Sequence, residues 1–68
     1  TRILTPDAVV NFAFAQTKGQ ATSLNSWSVK NEKGRFVYDV AFGAANHQEI
    51  EVHVDAFTGE LVSVKGVK

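Results

Sequence analysis

His47 and His53 are the only imidazoles in the chain, and His53 stands between two carboxylates in the run "EVHVD". Imidazole and carboxylate are common ligands of divalent cations, so Glu51, His53 and Asp55 are the first residues to weigh. If the run is a strand, all three share one face. Same-face neighbours on a strand stand about 6.5–7 Å apart, whereas the ligands of one ion lie about 2 Å from it. The row holds an ion only if its side chains converge. The simpler reading is a solvated face, with no metal site and no cofactor. Other chemistry is weaker still. Ser23, Ser26, Ser28 and Ser63 fall in strand-like runs, and none sits on a nucleophile elbow. Glu49 and Glu51 read as a wet strand face rather than an acid–base pair. The glycines are scattered among turns and form no phosphate loop. No catalytic constellation emerges, and the chain is expected not to be an enzyme.

The stretch "VHVDAFTGELVSV" poses a second question, whether Asp55 and the Thr58–Gly59 pair serve chemistry or a turn. An Asp at a strand end accepts from backbone N–H groups one or two residues further on. Gly59 supplies a positive φ without steric cost, and Thr58 can bond locally in the same loop. Asp55, Thr58 and Gly59 are therefore assigned to a structural turn joining two antiparallel strands through a short loop. Phe57 is the apolar residue of that loop. It either folds back on the sheet edge or serves as a partner contact.

These residues need elements to hold them. "TPDAVVNFAFAQTKG" predicts an N-terminal helix, with Thr5 as N-cap, Pro6 at the first helical position and Asp7 against the positive end of the dipole. Lys18 is placed in the last turn and Gly19 just past the end. Val9, Phe12 and Ala13 share the core face, and Val10 and Phe14 widen it beyond the ~100° stripe one sheet requires. The width fits a deep seat in a curved sheet. Alternatively Val10 and Phe14 form a second contact surface for a partner or a second copy of the chain.

After Gly19 the period falls to two. Asn25, Trp27 and Val29 alternate with polar residues, and Trp27 is expected in the core with its indole N–H on a polar partner. "NEKG" at 31–34 reads as a turn; Phe36, Tyr38, Val40 and Phe42 form the next inward face, "AANH" turns again, and Ile50, Val52 and Val54 point inward from the third strand. Matching inward with inward residues pairs Trp27 with Tyr38 and Val29 with Phe36. Further on it pairs Phe42 with Ile50, Val40 with Val52 and Tyr38 with Val54, and sets Asp39 opposite His53 on the wet face. The prediction is an α+β fold in one domain over residues 1–68: an N-terminal helix on one face of a four-stranded antiparallel meander, two layers in all.

Composition limits the function. A chain of 68 residues with 44% hydrophobic residues can form one small core. Seven basic and seven acidic residues cancel, so the charge footprint of a nucleic-acid binder is missing. No apolar run is long enough for a membrane span, and the absence of Cys removes disulfides and thiolate chemistry. Beginning at Thr1, the sequence is read as an excised domain or mature fragment.

"VDAFTGELVSV" also resembles the closing signature of the PepSY domain, a strand running into Asp-Ala-x-Thr-Gly-Glu and a final hydrophobic pair. "LTPDAVVNFAFAQTKG" is similar to that family's opening helix and "GRFVYDVAF" to its second strand, so the likeness spans roughly residues 4–64. The helix, with "NFAFAQ", is more aromatic than the family's usual version. The resemblance implies a noncatalytic module of the bacterial envelope or exterior, extracytoplasmic, that regulates or inhibits a peptidase by protein–protein binding. A secreted metallopeptidase is the implied partner. The alternative is a structural role, as a propeptide segment assisting folding or a spacer in a tandem array. A homodimer through Val10 and Phe14 is a third reading.

Overall fold

A computed structural model describes residues 5–66. The outermost parts of the predicted 1–68 domain, including the last two residues of its basic tail, lie outside the described residues. The helix α1 spans Pro6–Ala15, followed by strands β1 (Ala21–Glu32), β2 (Arg35–Ala44), β3 (Glu49–Asp55) and β4 (Leu61–Lys65), with a short 3-10 turn at Ala45–His47. The strands form one antiparallel sheet in the order β1-β2-β3-β4, so the predicted helix-on-meander architecture is the observed one.

Thr5 caps α1 by accepting the Ala8 N–H at 3.4 Å, and Pro6 occupies the first turn where no N–H is needed. The helix ends sooner than expected. The Thr17 hydroxyl turns back to donate to the Phe14 carbonyl at 2.7 Å, and Thr17 is fully buried. Lys18 and Gly19 then take positive φ values of 57° and 79°, so Lys18 belongs to the exit turn rather than the last helical turn.

The buried stripe of α1 is narrower than predicted. Val9 and Ala13 are buried, Val10 packs against the core from its rim, and Phe12 and Phe14 are 37% and 48% exposed. Phe12 is therefore not a core residue, while Phe14 still meets Phe42 edge-on at 5.8 Å. A helix is about 10–12 Å across and strands lie about 4.8 Å apart, so one helix shelters two strands. The contacts of α1 fall mainly on β2 and β3. Beneath it Tyr38, Val40, Phe42, Ile50, Val52 and Val54 form the core.

The outer strands are less covered: no residue of β4 is fully buried, though Val64 packs against the core. Along β1 only Ala21 is buried. Trp27 is not the expected core residue: it is 45% exposed, touching Tyr38 at a ring separation of 6.0 Å. On the face away from the helix, Val37 is buried although that face was expected to meet water.

The second hairpin has the predicted register, with Phe42 opposite Ile50, Val40 opposite Val52, Tyr38 opposite Val54 and Asp39 opposite His53. The first is shifted by two residues. Trp27 faces Val40, Val29 faces Tyr38 and Asn31 faces Phe36, since β1 and β2 run on to Glu32 and Arg35. The turn is only Lys33–Gly34, with φ of 53° and 82°. Two consecutive left-handed residues make the tight turn whose twist matches the flanking strands, and the Gly34 N–H also reaches Asn31 Oδ1 at 3.0 Å.

Candidate functional site

The loop after β3 is built around one carboxylate. Asp55 Oδ1 accepts the N–H of Phe57 at 2.8 Å and of Thr58 at 3.0 Å. Thr58 Oγ1 accepts the Glu60 N–H at 3.2 Å, and Gly59 stands at φ 77°. The backbone closes the loop with the Asp55 N–H on the Glu60 carbonyl at 2.9 Å. Asp55 is only 8% exposed, although its place in the β3 alternation put it on the face expected to meet water. The Thr58 and Phe57 amides hold its carboxyl below the ordinary carboxylate range against the opposing effect of burial, with the Thr58 hydroxyl and Arg35 assisting. Arg35 Nε lies 3.5 Å from Oδ2. Phe57 folds onto the sheet and meets Phe36 edge-on at 5.7 Å.

With Asp55 occupied in the loop, the Glu51–His53–Asp55 row does not converge. A different set does. Asp39 on β2 faces His53 directly, and Asp39, Glu51 and His53 each bring one ligand-type atom within 4.8 Å of the others. Lys30 Nζ sits 2.9 Å from Asp39 Oδ2, and this hydrogen bond and charge raise the Lys30 pKa. The face is less wet than its alternation suggests, with the Asp39 and His53 side chains 15% and 19% exposed. The second-hairpin register already placed Asp39 beside His53. Glu51 was already weighed with His53 along β3; joining Asp39 to that pair as a ligand, in place of Asp55, was the step the sequence pattern did not show.

The other accessible feature is apolar. On the helix side of β1, Leu24, Trp27 and Val29 are 48%, 45% and 40% exposed. Leu24 and Trp27 border a groove whose opposite wall is Pro6, Asp7, Val10 and Asn11 of α1. Of the partner-contact residues named from sequence, Val10 lines this groove, Phe14 lies further along α1 and Phe57 lies in the loop after β3, so the structure does not gather them into one patch. β1 is also an edge strand, so one row of its backbone groups has no partner strand. Nothing in the sequence pattern marks this exposure, because alternation tells which face a residue takes and not whether anything covers it.

A helix laid on one face of an antiparallel meander, with Asp55 and Thr58 engaged in closing the last hairpin, defines a two-layer α+β module with an open sheet edge. The family model of the PepSY domain, described as peptidase propeptide and YPEB domain, matches residues 3–65, and the chain belongs to that family. No curated protein and no solved structure matches it. Membership makes the chain a peptidase propeptide-like module, of a kind that is generally noncatalytic. Among the described residues no helix is long and apolar enough to cross a membrane.

Proposed function

We propose that this domain works outside the cytoplasm, secreted or in a bacterial cell envelope, by docking on a secreted metallopeptidase and restraining its activity. The observation that carries the reading is the free β1 edge with Leu24, Trp27 and Val29 exposed beside it. An extended segment of the partner adds to that edge through backbone hydrogen bonds, and its alternate side chains cover the three apolar residues. Membership of a peptidase-propeptide family supplies the class of partner. The chemistry asks no catalytic residue of the chain. Incubation with a panel of secreted metallopeptidases tests it: at high micromolar domain, at least one enzyme is slowed, and unchanged rates across the panel would refute inhibition.

A second reading rests on Phe14, which remains 48% exposed on α1 despite its contact with Phe42. Two copies meeting through Phe14 and the adjoining Val10 form a homodimer. Sedimentation at high concentration decides this, a monomer excluding it and a dimer lost in Phe14→Ser supporting it. Absence of both inhibition and dimerisation would leave the structural role, a folding aid or spacer within a longer chain.

A further inference from the structure

We infer that Asp39, Glu51 and His53 form a binding site for a divalent transition-metal ion of the zinc class, on the sheet face opposite the helix. The site is independent of peptidase docking, which uses the other face. Its placement follows from register. Asp39 and His53 are directly opposed across β2 and β3, and Glu51 is two residues from His53, hence on the same face. The three ligand atoms already lie within 4.8 Å of one another.

His53 Nε2 and Asp39 Oδ1 are 3.4 Å apart. Two ligands about 2.1 Å from a tetrahedral zinc are separated by about 3.4 Å, so this pair already stands at the spacing of one coordination edge. Glu51, with the longest side chain of the three, has to close by up to about 1.4 Å, the difference between 4.8 Å and that edge, to complete the set.

The second observation concerns His53 itself. Its Nε2 is screened from solvent, and among the described residues it makes no hydrogen bond, the approach to Asp39 included. A buried nitrogen without a partner costs stability, and a cation set between it and the two carboxylates satisfies it. One nitrogen and two oxygens on a fixed platform leave a position open for water, the pattern of a three-ligand zinc site. Calcium and magnesium favour fuller shells of oxygen ligands, and the imidazole selects against them.

Lys30 sets the strength of the site. Its ammonium takes Asp39 Oδ2 at 2.9 Å and leaves Oδ1 toward His53. Being 56% exposed, the Lys30 side chain can swing outward, but its charge opposes an incoming cation. Removing it therefore tightens metal binding.

The test is titration of the 68-residue chain with zinc chloride, followed by amide chemical shifts and calorimetry. One ion binds per chain, the amide shifts centre on Asp39, Glu51 and His53, and His47 is unaffected. His53→Gln and Asp39→Asn each weaken binding on the order of tenfold or more, Lys30→Ala strengthens it several-fold, and His47→Ala leaves it unchanged. Calcium at the same concentration gives no comparable shifts. The inference is overturned by any one of three results: no saturable zinc binding by the wild-type chain, shifts centred on His47, or calcium matching zinc. The amide shifts are read on the wild-type chain, so they decide the question even if a variant fails to fold.

Discussion

Asp55 shows what a single carboxylate does in this domain. It accepts two backbone amides, is 8% exposed, and lies within the residues matched to the family. Replacement by Ala leaves the Phe57 and Thr58 N–H groups without their acceptor, whereas Asn keeps an oxygen for the turn and loses only the charge. Thermal melts at neutral pH are therefore expected to fall on the order of 5 °C or more for Asp55→Ala and clearly less for Asp55→Asn. The pH dependence has a definite sign. Because the folded pKa lies below the ordinary value of 3.8, the ionised form is favoured by folding. Its contribution is complete above that value and is lost as pH falls through 3.8 and then through the lower folded value. Wild type should lose melting temperature across this acid window more steeply than Asp55→Asn, and equal slopes would show that the amides do not act through the charge. Arg35 adds little to this, since its side chain is 64% exposed.

Among the elements, the Lys33–Gly34 turn decides how β1 meets β2. Both residues have positive φ, which costs an L-residue such as Lys on the order of 1–2 kcal/mol and Asn less. Lys33→Asn creates the favoured Asn-Gly pair and should stabilise by about 0.5–1 kcal/mol, while Gly34→Ala should destabilise by about 1 kcal/mol; denaturant midpoints at constant slope would check both. The same turn explains what was legible in the sequence. Helix, strands, strand order and second-hairpin register could all be read from caps and periodicity. Inward-to-inward matching fixes a register only to within an even shift, because the side-chain period is two. Reading the whole of "NEKG" as loop placed Trp27 opposite Tyr38, two residues from its true partner Val40. Only the turn geometry carries the remaining information, and it depends on whether Lys33 tolerates a left-handed conformation. The outer-face cluster was half legible for a related reason. Cross-strand register showed Asp39 beside His53, but the turning of Asp55 into its loop, which leaves Glu51 as the third member, is a local hydrogen-bonding outcome.

For the whole molecule, size sets where substitutions can be tolerated. A domain of 68 residues has a stability on the order of 3–10 kcal/mol. Phe42 is 1% exposed, and Phe42→Ala, at about 3–5 kcal/mol, removes a large share of that. One helix cannot cover a sheet of four strands, so the same fold that buries Phe42 beneath α1 leaves Trp27 and Val29 at 45% and 40% exposure. A cationic side chain at an exposed position on an open edge is itself a common protection against strand addition. The double variant Trp27→Lys, Val29→Lys therefore separates folding from docking. Each substitution removes a partly exposed side chain and lets the new ammonium reach water, so the melting temperature should change far less than in Phe42→Ala. An extended partner segment laid along β1 then meets two charges where it would have buried apolar surface. Inhibition of a responsive peptidase should weaken tenfold or more, while Phe14→Ser, away from the edge, should preserve it. If the double variant stays folded and inhibits as strongly as wild type, the docking surface is not the β1 edge. If Phe14→Ser alone abolishes inhibition, the surface is the exposed side of α1.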